Sequence, residues 1–416
     1  MTAASFSSLA FTKPPSVQWL LPNLEKMNIL DASEDAMQMH ASLFMGPSVV
    51  DLEVSLLSAT VEDAGQFLKE LAQRCPGIKR FALRYERAVT LVEEALVTCI
   101  KGLEELEEIT LPWAFMTKDV MKALEGCREI RKINMWSDTH SEVDNRNFEA
   151  KKGAFAKLEK MALFVPMNTA LMLLNTDRWA DMLKEVEVTT QIETDMSVVP
   201  KFFKAIGTSR HNITSLRFDL YDGTSGPFTM SKMRPLLDCE QIQRFFFRHR
   251  LPFTSDVEDL QEILESWPNL VELSLCADPK IWDNVESGLP LTSLGLFALH
   301  CPDIEEIGLY FANSAPGVHA ESHRLEKIKT LHVGSSGCAD ALSTAMYLVE
   351  MCGHGMEIDY GVHKISPYTK SAETHSEWDE AKKYFARLGG MAERTKYRAV
   401  GSRRSKPVSY GGLKVL

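Results

Sequence analysis

Residues 267–275 read WPNLVELSL, with leucines at 270, 273 and 275. The second half of this phrase alternates apolar and polar residues, which is the period of a β-strand with one buried face. The same apolar-x-x-apolar-x-apolar pattern occurs elsewhere in the chain, so an internal repeat is the first architecture to test.

The pattern recurs in twelve clear copies, whose first residues are spaced 24 to 34 positions apart and on average about 28. These first residues are Leu24, Val49, Ile78, Leu106, Ile130, Leu158, Leu183, Ile213, Ile242, Leu270, Ile304 and Ile328. A degenerate thirteenth copy contains Met356 and Ile358. One apolar triplet is common by chance, but a dozen at this period indicate a repeat protein.

The residues between the strands often carry helical spacing. Residues 61–75, 117–127 and 256–267 show this spacing, and Thr117 is a predicted N-cap. The predicted apolar faces are Ala64, Phe67, Leu68, Leu71 and Ala72 in the first stretch, and Val257, Leu260, Ile263, Leu264 and Trp267 in the third. One strand and one helix cannot bury their apolar faces alone, whereas stacked copies can. We therefore predict a curved α/β solenoid, with a parallel sheet on its concave face and helices on its convex face.

The phrases resemble those of leucine-rich-repeat proteins of the horseshoe type. More narrowly, WLLPNLEKMNIL, LAQRCPGIKRFAL, WPNLVELSL and HCPDIEEIGLYFA resemble fungal F-box/leucine-rich-repeat proteins. A Cys-Pro or Trp-Pro pair precedes the strand at 75–76, 267–268 and 301–302. The resemblance implies a protein-binding scaffold that forms the substrate-binding part of a ubiquitin-ligase receptor.

Members of that family carry an N-terminal F-box that docks a Skp-type adaptor. The first repeat here begins near Leu21, and no F-box is visible before it. We therefore expect a Skp-type adaptor as a partner only if an F-box lies outside this chain. The alternative is a stand-alone leucine-rich-repeat adaptor, or a regulator of an enzyme of the inhibitor or GTPase-activating type.

Four segments are predicted. Residues 1–20 are an N-terminal lead-in, and residues 21–360 form the solenoid of 12 to 13 repeats. Residues 361–391 form a capping region, whose helix at 376–390 carries an apolar stripe and ends at Gly389-Gly390. That stripe comprises Trp378, Ala381, Tyr384, Phe385 and Leu388. Residues 392–416 form a basic tail that we expect to be disordered.

The charge is distributed unevenly along the chain. The total is −11, and residues 392–416 contribute seven Lys or Arg against one Glu, which leaves the remainder at about −17. Such an acidic body argues against nucleic acid as a partner, since nucleic-acid binding depends on neutralising phosphates. No apolar run approaches the length that crosses a bilayer, so we expect no membrane partner.

The eight cysteines form no Cys-x-x-Cys pair, which argues against a disulfide framework and a zinc site. We expect a monomer in the cytoplasm or nucleus. RRSK at 403–406 would suit a weak nuclear-import signal, although a solvated tail is the simpler interpretation.

Two motifs resemble sites for zinc or phosphate, but a structural role explains each of them better. HAESH at 319–323 places its glutamate differently from the His-Glu-x-x-His zinc motif. HVGSSGCADALS at 332–343 lacks the lysine and spacing of a phosphate-binding loop, and it coincides with a strand-to-helix turn of the repeat. Cys75, Cys127 and Cys301 share one repeat position and fit small buried apolar residues. We therefore expect no enzyme activity, no cofactor and no metal.

The polar positions of each strand should face the concave side and any partner. The predicted contact residues are Lys132, Trp136, Phe164, Arg217, Asp219, Arg244, Phe246, Arg248 and Tyr310. Trp136 and Phe164 form an apolar pair on neighbouring repeats.

Four of these residues, namely Arg217, Arg244, Phe246 and Arg248, form a basic and aromatic patch in the acidic body. Arginine and aromatic residues are enriched among interface hot spots, and the arginine fork suits carboxylates and phosphates. We expect this patch to bind an acidic or phosphorylated segment of a protein partner. The alternative is that Phe246 packs between its neighbours while the arginines pair with carboxylates of this chain at Asp219, Glu187 and Glu272.

Overall fold

The computed structural model describes residues 19–29, 43–57, 59–136, 154–174, 182–190, 197–209, 212–220, 228–279, 288–316, 323–353, 355–360 and 376–402. The chain divides into two compact units. The first comprises residues 1–226 and 231–247, and the second comprises residues 227–230 and 248–416.

The first unit contains one strand for each of its predicted repeats. These strands are β1 (Lys26–Ile29), β2 (Asp51–Ser55), β3 (Arg80–Arg84), β4 (Glu108–Pro112), β5 (Lys132–Trp136), β6 (Lys160–Phe164), β7 (Glu185–Thr190), β8 (Ser215–Leu220) and β10 (Arg244–His249, whose last two residues belong to the second unit). They follow one another in chain order in the sheet, and each successive pair from β1 to β8 is parallel. Equivalent residues of successive repeats lie side by side, as in Ile109 opposite Ile133.

The helices of the first unit lie between its strands in sequence. They are α1 (Val61–Arg74), α2 (Glu93–Gly102), α3 (Lys118–Leu124), α4 (Met167–Leu174) and α5 (Val198–Ser209). The predicted N-cap at Thr117 is confirmed, because its side chain accepts a hydrogen bond from the Val120 amide at 3.2 Å. Consecutive helices pack together from α1 through α3, as expected when each repeat supplies one helix to the same side.

The second unit repeats the design. It contains β9 (Phe228–Thr229), β11 (Phe253–Thr254), β12 (Glu272–Leu275), β13 (Glu306–Leu309), β14 (Thr330–Gly334) and β15 (Glu357–Tyr360). β12 to β15 form a parallel sheet in chain order, and β9 pairs separately with β11. The helices are α6 (Met230–Met233, which crosses the unit boundary), α7 (Val257–Ser266), α8 (Leu294–His300), α9 (Ala341–Cys352) and α10 (Ser376–Ser402).

The core is built from the apolar positions of the repeat. In the copy that begins at Leu270, for example, Leu270, Leu273 and Leu275 are all buried. The degenerate last copy follows the rule, with Met356 and Ile358 both buried. Leu24 and Met135 are the half-buried exceptions among these described repeat positions. The predicted α/β leucine-rich-repeat solenoid, with strands and helices stacked repeat by repeat, is therefore confirmed.

Two details of the helix predictions need correction. Val257 was assigned to the buried stripe of α7, but it is 36% exposed because it lies in the first turn, and the buried stripe begins at Leu260. Ala72 of α1 is half-buried rather than buried. In α7 the Asp256 side chain caps the helix by accepting from the Asp259 amide at 2.8 Å.

The final helix covers one end of the second unit. Trp378, Ala381 and Phe385 are buried, while Tyr384 and Leu388 of the predicted stripe are half-buried. The Trp378 indole Nε1 donates to the Ser336 carbonyl at 2.9 Å.

The predicted helix end at Gly389-Gly390 is wrong, because α10 continues to Ser402. Residues 391–399 are mostly good helix formers such as Ala, Glu, Arg and Lys, which outweigh two glycines. Residues 392–402 of the predicted disordered tail are therefore helical, and 403–416, including RRSK, lie outside the described residues. Within the described part of the chain, no helix combines the length and apolar character needed to cross a bilayer.

Candidate functional site

The outward-facing positions of the strands, here called the strand face, carry the candidate site. They alternate with the buried positions along each strand, and the parallel register aligns them from repeat to repeat. Ala162, Glu187 and Arg217 occupy one aligned row across β6, β7 and β8, and Phe164, Thr189 and Asp219 occupy the next.

Most cations of the strand face in the first unit are neutralised by carboxylates on adjacent strands. Asp51 accepts from Lys26 at 3.2 Å and from Arg80 at 2.9 Å. Partial burial acts to raise the pKa of Asp51, but the bonds from Arg80 and Lys26 outweigh it and lower that pKa below its ordinary value. These exposed contacts add little stability individually, but each of these cations has a carboxylate beside it.

The same pairing holds on β5 and β6. Lys132 lies 3.7 Å from Glu108, so this predicted contact residue is already engaged. Lys160 contacts Glu187 at 2.8 Å and Glu185 at 3.4 Å. Desolvation acts to lower the pKa of Lys160, but its hydrogen bond and attraction to Glu187 and the attraction to Glu185 raise it above its ordinary value.

Trp136 ends β5 and Phe164 ends the neighbouring β6, and together with Arg84 they are here called the aromatic cluster. The Arg84 guanidinium lies over the Trp136 ring at 4.1 Å from its centroid, and it binds Glu53 at 3.2 Å. Trp136 and Phe164 are both half-buried. The sequence prediction missed Arg84, which lies two strands away from Trp136 with Pro112 of β4 between them.

Arg217, Arg244 and Phe246 form a second group, here called the arginine patch. The Arg217 guanidinium lies over the half-buried Phe246 ring, 3.9 Å from its centroid. Arg217 and Arg244 are exposed, and neither forms an ion pair with any residue that the structure describes. Glu187, which lies opposite Arg217 in the register, is instead bound by Lys160.

The alternative was that Phe246 packs between its neighbours and that the arginines pair with carboxylates of this chain. It holds in part for Phe246, but Arg217 and Arg244 form no such pair among the described residues. Phe246 is half-buried, and the Arg217 guanidinium covers its ring. Glu187 forms an ion pair with Lys160 and does not neutralise Arg217. Asp219 and Arg248 both have interaction partners, and Asp219 is only 8% exposed, so it offers little surface to a partner.

Tyr310 lies in the second unit, directly after β13. It is half-buried, and burial raises the pKa of its phenol. On the neighbouring strands of that unit, His332 lies 2.8 Å from Asp359 and 3.9 Å from Glu306. Tyr310 belongs to the second unit, whereas the residues of the aromatic cluster and the arginine patch belong to the first.

The two motifs that resemble a phosphate-binding loop and a zinc site, HVGSSGCADALS and HAESH, were interpreted as structural, and their described residues agree with that interpretation. Asp340 caps α9 by accepting from the Leu342 and Ser343 amides, so the protein itself occupies the helix N-terminus after the Gly-Ser-Ser-Gly turn. Of HAESH, only His323 lies within the described residues. No group of three or more His, Cys, Asp or Glu that could hold a metal occurs among the residues described.

The cysteines are buried as thiols. All eight are free and buried. Burial raises the pKa of Cys75 and Cys301 to about 12 and that of Cys127 to about 11, which keeps them protonated and unreactive. Their prediction as small buried residues before the strands is confirmed.

Comparison with known proteins adds no family assignment. No family model and no curated protein matches this chain. Among solved structures, the yeast Rad7 and Elc1 complex is similar at a TM-score of 0.45 and 13% identity, over 90% of this chain and 87% of that chain. The TLR13 complex with ssRNA13 is similar at 0.40 and 15%, over 76% of this chain but only 40% of the TLR13 chain.

A leucine-rich repeat-containing protein, LegL7 from Legionella pneumophila, is similar at a TM-score of 0.38 and 12% identity, over 62% of this chain and 87% of that one. At scores of 0.45 and below, these similarities say nothing about the partners of this chain. The repeat fold rests instead on the strand order and register described above.

Proposed function

We propose that the chain is a protein-recognition scaffold whose first unit binds an acidic or phosphorylated segment of a partner. The observation that supports this most is the contrast between the arginine patch and the other strand-face cations. Asp51, Glu53, Glu108 and Glu187 already bind the cations nearest to them, whereas Arg217 and Arg244 have no carboxylate among the described residues.

The stacked geometry of Arg217 suits this role. A guanidinium held over an aromatic ring keeps its donors free and loses less side-chain freedom when it binds, so more of the interaction energy remains as affinity. The overall charge of −11 would repel acidic segments from the rest of the surface and favour the patch as their binding site.

The finer proposal is that this recognition serves a ubiquitin ligase, as the resemblance to fungal F-box/leucine-rich-repeat proteins implies. It is supported by the repeat phrases alone. Affinity purification of the full chain from its native cell tests it: recovery of a Skp-type adaptor and a cullin would support the ligase role. Recovery of other partners without them would favour a stand-alone adaptor or an enzyme regulator.

Reversal of both charges of the arginine patch should remove the recognition. In the variant R217E/R244E, two attractive contacts become repulsive, and we expect partner recovery to fall at least about tenfold. The measurement is quantitative mass spectrometry of partners captured by the wild-type and variant full chains.

A matched control carries the same change of charge elsewhere. Arg87 and Arg128 are exposed, lie off the strand face and form no ion pair with described residues, so R87E/R128E should leave recovery within about twofold. Equal recovery with all three chains, or equal losses in both variants, would contradict the proposal.

A further inference from the structure

The strand face contains two arginine–aromatic stacks that differ in charge. In the aromatic cluster, Arg84 lies on Trp136 and its charge is compensated by Glu53 at 3.2 Å. In the arginine patch, Arg217 lies on Phe246 and no described carboxylate compensates it. The first group therefore offers half-buried apolar surface without net charge, and the second offers positive charge.

The register fixes the separation between the two groups. Phe164 is on β6, and the Arg217 guanidinium lies over Phe246, between β8 and β10. Neighbouring strands are about 4.8 Å apart, so the apolar side chain and the positive charge are roughly 12 Å apart across the sheet.

The surface between the two groups is shallow. Ala162 and Thr189 are small, and Glu187 is held down by Lys160 at 2.8 Å. A backbone can approach such a surface closely. An extended segment advances about 3.3 Å per residue, and its side chains alternate between two faces. Two side chains on the same face therefore cover this separation when they are about four residues apart, whereas a helix would need about eight residues.

We propose that the partner segment lies extended across β6, β7, β8 and β10, with an apolar side chain on Trp136 and Phe164 and an anionic side chain on Arg217 and Arg244, four residues apart. This inference rests on the proposed function and specifies its ligand. The positive charge of Arg217 favours an anionic side chain at one position. At the other position Arg84 is already paired with Glu53, so an apolar side chain is favoured there.

The test is selection of a random 12-residue displayed peptide library on the immobilised full chain. We expect enrichment of peptides that carry an aromatic or large aliphatic residue and an Asp or Glu four positions apart, in either order. Enrichment at a separation of seven or eight, enrichment without an acidic residue, or no enrichment would overturn the inference.

Two single variants assign the positions by fluorescence anisotropy with one enriched peptide. R217Q should weaken binding about tenfold, and replacement of the peptide's acid by Gln should then cost little more, because the two groups act as a pair. R84Q, which removes the other stacked arginine, should leave the dependence on the acid unchanged. If R84Q rather than R217Q removed the dependence of binding on the peptide's acidic residue, the assignment of that residue to Arg217 would be overturned.

A synthetic peptide with phosphoserine at the acidic position separates the two sources of negative charge. Tighter binding than the Glu peptide identifies a phosphorylated ligand, and equal binding identifies an acidic one, and both outcomes support the anionic site. Weaker binding of both than of the Gln peptide would overturn it. If R217E/R244E loses its cellular partners while the library shows no preferred spacing, the proposed function stands and this inference fails.

Discussion

Replacement of Gly334 by alanine is expected to destabilise the second unit by about 3–5 kcal/mol, from a left-handed backbone and a steric clash acting together. Gly334 ends β14 at φ +49°, beside a register irregularity, and an added Cβ would lie 1.9 Å from the Ala277 carbonyl oxygen. The obstacle is backbone rather than a flexible side chain, so it cannot move aside cheaply. Pulse proteolysis of the full chain in urea measures the loss.

Two other glycines of the same unit distinguish the effect of backbone strain from that of the steric clash. Gly353 has φ +75° and ψ −153° and nothing within 4 Å of an added Cβ, so G353A should cost about 1–3 kcal/mol from backbone strain alone. Gly355 has neither feature, and G355A should change stability by less than about 0.5 kcal/mol. If G334A cost no more than G353A, the close approach to Ala277 would be refuted.

Replacement of Trp378 by alanine is expected to release the end of the second unit that α10 covers. The side chain is 1% exposed, and its Nε1 donates to the Ser336 carbonyl at 2.9 Å. Loss of a buried tryptophan costs about 3–5 kcal/mol. Because each repeat contacts mainly its neighbours, the loss should stay local. Amide hydrogen exchange in β15 and α9 should therefore accelerate about a hundredfold or more.

The amides of β2 to β4, in the first unit, supply an internal control and should keep their protection. W378F keeps most of the apolar volume and loses the hydrogen bond, so it should cost about 1 kcal/mol. Unchanged exchange in β15 and α9 of W378A would show that α10 does not stabilise the repeats beneath it.

The repeat fold was predictable because its signal is collective. Any single triplet such as Leu270, Leu273 and Leu275 has many chance counterparts, but a dozen at one period have only one structural explanation. The extent of α10 was not predictable, because two glycines lower helix propensity without preventing a helix that is held by Trp378 and Phe385.

The sequence predicted which residues of the candidate site occupy outward-facing strand positions, but it did not predict which side chains contact one another. Alternation along β8 and β10 gives the outward residues, so Arg217 and Phe246 were named from the sequence. The sequence could not show that Glu187 binds Lys160 and that Arg217 has no ion-pair partner among the described residues, because this depends on how far side chains reach across strands. Arg84 was missed for the same reason, since it contacts Trp136 across an intervening strand.

The burial of Asp219 illustrates a further limit. Its outward-facing position on β8 indicated a contact residue, yet it is 8% exposed and engaged with neighbours. Position in the repeat gives the direction of a side chain, while the neighbouring repeats decide whether solvent or a partner can reach it. Pairing between repeats, rather than residue type, thus distinguishes the arginine patch from the rest of the strand face.

Site-specific photo-crosslinking tests most directly whether the strand face of the first unit binds the partner. A photoreactive amino acid is placed at Ser215, which begins β8 beside Arg217, and in a second chain at Lys122, which is exposed on α3. Both full chains are irradiated in the native cell, and adducts are identified by mass spectrometry. We predict partner adducts from position 215 and none of the same partner from position 122. Adducts from position 122 alone, or from neither position, would contradict recognition through the strand face.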